Sequence, residues 1–273
     1  MKNILLILTA LLLTSCASML PRGEAKFAGS AVDYLYPSAK EPVQLTTEKA
    51  THLKLPVRVG IAFAPSTASW ISGPTEDERL KMLQQVKEAF GKYEFIGTIE
   101  VIPSAYLQPK GGFANLEQAA RMFNVDVVAL LSYDQMQFND TNSLSLLYWT
   151  IIGAYVIHGD QYDIHTMLDA SVFDVRSHKL LFRAPGASNV KGSAAMANFN
   201  EKSRAARTDG FNAALSTLIP NLQDELVRFK DRVKNDRSIQ VENHPGYSGG
   251  GDLGLLGIVF AVILLGVCRE KYQ

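Results

Sequence analysis

Thiols are scarce in this chain: Cys16 and Cys268 are its two cysteines, one near each end. Between them the body can form no disulfide and run no thiol chemistry, so its stability must come from its core. Excess charge is missing too. Lys and Arg number 27, as do Asp and Glu. That leaves no basic footprint for nucleic acid and no acidic tail. No Gly-x-Ser-x-Gly elbow, His-Glu-x-x-His pair or phosphate-binding glycine loop occurs, so the familiar hydrolase, metalloprotease and nucleotide-binding signatures are absent. No internal repeat or low-complexity block stands out. These absences favour a non-enzyme with no cofactor and no metal.

What is present is a globular composition, 47% hydrophobic and 20% charged. Both ends carry membrane signals. Lys2 opens a positive n-region, and residues 4–13 form a short apolar segment ending Leu13-Thr14-Ser15-Cys16. Its length suits a signal peptide and is too short to span a bilayer. At the other end, Ser248-Gly249-Gly250-Gly251-Asp252 precedes an apolar run over 253–267 and the terminal Cys268-Arg269-Glu270-Lys271. That run falls short of the roughly 20 apolar residues of a spanning helix. Gly254, Gly257 and Gly266 weaken its helix further. Lys2, Arg269 and Lys271 place both ends on the cytoplasmic side by the positive-inside rule, with the body outside.

The Leu13–Cys16 sequence resembles a bacterial lipobox. The resemblance implies cleavage between Ser15 and Cys16 and lipidation of Cys16, giving the chain membrane lipid as a partner. Ala17, where an Asp would resemble an inner-membrane retention signal, points to the outer membrane. The glycine run, short apolar helix and basic end together resemble the GlyGly-CTERM sorting signal. With the lipobox they resemble the family of rhombotarget lipoproteins. This implies processing near Gly249, Gly250 and Gly251 by a rhombosortase-type intramembrane protease. The basic end, one pair around Glu270, is sparser than in many such tails.

With the ends removed, roughly 230 residues remain, room for one large domain. The expected division is a signal peptide over 1–15, a lipidated tether over 16–56, a globular domain over 57–234, a flexible stalk over 235–251 and a sorting tail over 252–273. Along the body, Val57-Arg58-Val59-Gly60-Ile61-Ala62-Phe63-Ala64 alternates as a strand does. Pro74-Thr75-Glu76-Asp77-Glu78 reads as a helix start, followed by a face of Leu80, Leu83, Val86, Lys87 and Phe90. A strand over 95–102, a helix over 115–123 and a buried strand over 126–133 follow. Two antiparallel strands over 162–175 and 179–187 meet at Arg176-Ser177-His178, and a long helix with Pro220 inside runs over 199–234.

This order predicts an α/β fold, a mixed sheet with helices packed on it. In outline it resembles periplasmic domains of envelope lipoproteins, such as the curli-export lipoprotein and the activators of penicillin-binding proteins. Three places invite chemistry. His158, Asp160, Asp163 and His165 offer metal-ligand types, but at a loop-to-strand junction they read as a solvated turn. Tyr133-Asp134 follows a buried strand, where α/β sheets often bind ligands, and reads as a capped strand end. Residues 144–157, with Tyr148, Trp149 and Tyr155, are the most apolar piece of the body. They serve as core or as a surface for self-association or a protein partner. The expected function is a bacterial envelope lipoprotein with a non-catalytic binding or assembly body. The alternatives are a hydrolase or metal enzyme with a scattered site, or a lipoprotein held permanently by its C-terminal helix.

Overall fold

The computed structural model describes residues 23–37, 50–66, 73–141, 159–236, 239–245 and 247. Alternating apolar residues build a six-stranded mixed sheet. Strand β1 is Gly23–Gly29, β2 Thr51–Leu55, β3 Val57–Phe63, β4 Ile96–Val101 and β5 Val127–Thr141. Next come β6, Asp160–Asp174, β7, Leu180–Ala194, and β8, Ile239–Asn243. The sheet order is β4-β3-β5-β6-β7. β3 runs parallel to β4 and β5, whereas β5, β6 and β7 form an antiparallel meander. β1 pairs antiparallel with the far half of β5, along the edge that β3 occupies at the near half. β2 and β8 make a separate parallel ribbon.

Helices cover both faces of the near half. Helix α1 is Ala31–Leu35, α2 Glu76–Phe90, α3 Gly112–Met122 and α4 Phe199–Asn235. On β5, Val128 and Leu130 pack under α1 and α3 with Tyr34, Leu116 and Ala120. Val127, Ala129 and Leu131 pack under α2 and α4 with Met82, Leu83, Leu215 and Leu218. Burial on both sides is why residues 127–131 form an unbroken apolar run, with no polar alternation. Beyond Tyr133 only the α4 side stays covered. There the sequence alternates again, with buried Gln135 and Gln137 opposed to partly exposed Asp134 and Met136.

Each helix follows from its sequence. α4 repeats Phe211, Leu215, Leu218, Leu222, Leu226 and Phe229 at three- and four-residue spacing, which forms one buried stripe. Pro220 lies on its solvent side, where water can take the hydrogen bond that the ring removes. α2 opens with a capping box: Thr75 N–H donates to Glu78 Oε2 at 2.8 Å and Thr75 Oγ1 accepts from Glu78 N–H. Its buried face includes Met82, whereas Leu80 is 36% exposed. The expected placement of Leu80 on the core stripe is corrected: Met82, two residues further on, is buried there instead.

Three boundaries also move. Gly23–Gly29, Ala31–Leu35 and Thr51–Leu55 belong to the fold, within the stretch read as a tether plus a partly ordered lead-in. Ile239–Asn243, expected in the flexible stalk, pairs with β2. β5 continues to Thr141, so Tyr133 and Asp134 sit in mid-strand rather than at a strand end.

Glu78 ties α2 to α4, because Thr208 Oγ1 donates to its Oε1 at 2.7 Å. Burial raises the Glu78 carboxyl, but the bonds from Thr208 and Thr75 outweigh it and hold the group below the usual glutamate range. A depressed folded value means stability that is present above the unfolded pKa of about 4.3 and lost as pH falls through the folded value. Glu78→Gln, a neutral isostere, is expected to cost about 1 kcal/mol at pH 7 in urea unfolding. The gap to wild type should close below about pH 4. A gap that persists at pH 3 contradicts the assignment.

Candidate functional site

Ser15, Cys16 and Gly249, Gly250 and Gly251 lie outside the described residues, as do the apolar run 144–157 and the sorting tail. Among the described residues no helix is long and apolar enough to cross a membrane, which says nothing of strands.

Of the His158–His165 cluster, His158 lies outside the described residues, and the part from Asp160 to His165 is not a turn. It lies in β6, where alternation separates its members: Asp160 and Ile164 are buried while Asp163 and His165 share the opposite, open face. There Asp163 pairs with His165 at 3.1 Å and with Lys191 at 2.8 Å. Burial raises the Asp163 carboxyl, but Lys191 and His165 outweigh it and hold it below the usual range. Among the described residues no group of three metal-ligand side chains converges.

Tyr133 and Asp134 are likewise split by strand alternation. Tyr133 packs inward against Phe211 at 5.9 Å, with the Arg79 guanidinium over its ring at 5.8 Å. Asp134 points the other way, to Lys26 at 3.0 Å. A polar seam continues under α4. Gln135 Nε2 donates to Thr166 Oγ1 and to the Arg207 carbonyl, and Arg207 donates to Gln137 Oε1 at 2.7 Å. Burial and the neighbouring Arg204 lower the Arg207 pKa, against the pull of Glu78.

A cleft of about 540 Å³ opens at the opposite end of the sheet. Four elements make its walls: β2 with His52 and Lys54, the start of β3 with Arg58, the C-terminal end of α3 with Glu117 and Arg121, and the β6–β7 turn with Asp174 and Arg176. Alternation in β2 buries Thr51 and Leu53 and turns His52 and Lys54 outward. Thr51 Oγ1 lies 3.2 Å from Ser177 Oγ, which brings β2 against the β6–β7 turn.

The three carboxylates that line the cleft are all engaged. Asp126 is held bidentately by Arg58, through Nε at 2.8 Å and the terminal nitrogen at 2.7 Å. Asn124 also accepts from Arg58. Glu117 takes Arg121 at 3.0 Å on one oxygen and His178 at 2.7 Å on the other. His178 adopts a left-handed backbone, φ 61°, and stacks on Phe113 at 4.2 Å. Buried Asp174 accepts from the Ser177 N–H and hydroxyl. Among the described residues the lining offers cations, carboxylates and an imidazole, and no hydroxyl or thiol.

The sequence reading missed this site. Its residues come from four segments spread over 52–176, and none forms a motif. Arg176 was visible as part of a turn and Arg58 as part of a strand, but nothing in the order of residues brings them together.

No family model and no curated protein matches the chain. Several solved structures align with it. A neuraminyllactose-binding hemagglutinin homolog from Helicobacter pylori is 8% identical with a TM-score of 0.42, over 72% of this chain and 97% of its own. A PelC dodecamer variant from Paraburkholderia phytofirmans is 10% identical with a TM-score of 0.23, over 72% and 99%. The lipoprotein GNA1162 from Neisseria meningitidis is 13% identical with a TM-score of 0.25, over 66% and 99%.

Proposed function

We propose that the chain is a bacterial envelope lipoprotein, lipidated at Cys16, whose body is a non-catalytic binding or assembly domain. Its tail, 252–273, is a sorting signal removed near Gly249–Gly251 by a rhombosortase-type protease. The observation that carries the reading is the apolar leader sequence ending in Cys16, joined closely to a folded body. β1 begins at Gly23, seven residues after Cys16. An extended link of that length reaches about 25 Å at most. A lipid on Cys16 would therefore hold the body close to the membrane, at the end of the sheet where Gly23 meets Asn139. One acyl chain anchors only marginally, so stable attachment needs the several chains that a lipoprotein carries.

Mass spectrometry tests both ends of the chain. Labelled fatty acid should enter the wild type and not Cys16→Ala. The mature wild-type mass should lack the first 15 residues and the tail beyond the glycine run. Deleting the host protease should restore the tail. Equal labelling of both proteins overturns lipidation at Cys16. A mature chain that retains Lys271 overturns tail removal and leaves permanent C-terminal anchoring.

A further inference from the structure

We propose that the cleft between β2, α3 and the β6–β7 turn is a binding site for a phosphate-bearing ligand, with Lys54 and Arg176 as its principal cationic contacts and His52 beside them. It rests on the cleft's own geometry and deepens the reading of the body as a binding domain.

The first ground is a charge asymmetry. Lys54, Arg58, Arg121 and Arg176 line the cleft against Glu117, Asp126 and Asp174, an excess of one positive charge with His52 neutral. The excess is not evenly spread. Arg58 is consumed by Asp126 and Asn124. Arg121 is bound to Glu117, and Asp174 is occupied by Ser177. Among the described residues, Lys54, Arg176 and His52 have no hydrogen-bond or ion-pair partner in the cleft. Glu242 lies in register beside Lys54 across the ribbon, without pairing with it. Arg58 and Arg121 are thus spent on Asp126 and Glu117, while Lys54 and Arg176 stay open against the single charge of Asp174, whose hydrogen bonds come from the neutral Ser177.

The second ground is placement. Lys54 and His52 stand on β2, Arg176 on the turn, and the Thr51–Ser177 contact draws those two walls together. Beside them, the Arg58–Asp126 fork joins the start of β3 to the residue before β5. A concave wall focuses the field of open cations on whatever enters. A guanidinium fork, a point-charge ammonium and an imidazole together match a group with several acceptor oxygens, as phosphate has. A lone carboxylate would use the Arg176 fork and leave Lys54 idle. The volume, about 540 Å³, is that of a small-molecule site.

The third ground is orientation. β5 runs twelve residues from Asn139, beside the start of β1, to Val127, beside the cleft. At about 3.3 Å per residue this separates the tether from the cleft by about 40 Å. The cleft therefore lies at the opposite end of β5 from the start of β1.

The test uses the full chain in a non-ionic detergent, titrated with sodium pyrophosphate, inorganic phosphate and acetate at low salt. The His52 ring resonances report the site and calorimetry gives the affinity. Pyrophosphate is expected to bind more tightly than phosphate, and phosphate more tightly than acetate. Arg176→Gln and Lys54→Gln should each weaken pyrophosphate about tenfold or more. Lys202→Gln, on the exposed side of α4, should leave it unchanged. Vesicles of phosphatidylglycerol distinguish the source. Competition with pyrophosphate identifies a lipid headgroup, and lack of competition identifies a soluble phosphate ester; both uphold the site. Pyrophosphate affinity unaltered in both cleft variants, or acetate binding as tightly as pyrophosphate, overturns the proposal. Neither result bears on Cys16, which the fatty-acid label reads separately.

Discussion

Gly186→Ala is expected to destabilise the protein by about 3 kcal/mol, because α4 lies directly on the backbone of β7 at that point. A Cβ there would meet the Leu218 amide nitrogen and Cβ at 2.6 Å and crowd the Ala214 carbonyl. Two of those three atoms are backbone, so no rotamer change can relieve them. The helix would have to lift from the sheet along the stripe that carries Leu215 and Leu218. Lifting it would also strain the polar clasps beside Gly186. Thr217 donates to the Ala187 carbonyl, the Ala187 N–H donates back to Thr217, and Asn221 donates to the Pro185 carbonyl. These clasps engage the outer edge of β7, which would otherwise present free N–H and C=O groups for pairing with another chain. Urea unfolding followed by circular dichroism should show a lower midpoint with an unchanged slope. Gly91→Ala, at the end of α2 with an ordinary right-handed backbone, should cost less than about 1 kcal/mol. A midpoint for Gly186→Ala within error of wild type would mean that α4 does not rest on β7 there.

Leu130→Ala and Leu131→Ala should each cost about 2–5 kcal/mol, although the two side chains point in opposite directions. Both are fully buried. Leu130 packs among Tyr34, Leu116 and Ala120, and Leu131 among Phe63, Leu83 and Leu215. In a one-sided sheet one of the pair would face water and its removal would be nearly silent. Met136→Ala supplies that comparison within the same strand. It lies beyond the reach of α1 and α3, is only partly buried, and should cost less than about 1.5 kcal/mol. Equal losses for Met136 and Leu130 would show that the far half of the sheet is covered on both faces. A small loss for Leu130 would remove the α1–α3 layer from the core. The same urea experiment decides both.

The coverage of β5 shows how much of the fold the sequence determined. The apolar run over 127–131 demanded a strand buried on both faces, and the stripe from Phe211 to Phe229 demanded a long helix with one buried side. The proposed reading of the two ends rests on linear sequence patterns alone, because the motifs that it resembles are local by nature. Other features depended on partners far along the chain. Residues 23–29 show weak strand character locally, and they are a strand because Phe27 and its neighbours meet the open edge of β5 at 133–139. Residues 239–243 are mostly exposed and polar, and they are a strand because β2 offers its edge. Strand pairing supplies hydrogen bonds from outside the segment, so local pattern cannot report it. The Asp160–His165 cluster was legible as ligand types but not as geometry, because extended alternation sends adjacent side chains to opposite faces. The cleft was decided by tertiary structure alone. Chain order holds Lys54, Arg121 and Arg176 far apart, and only folding sets which carboxylates quench which cations and which cations remain open.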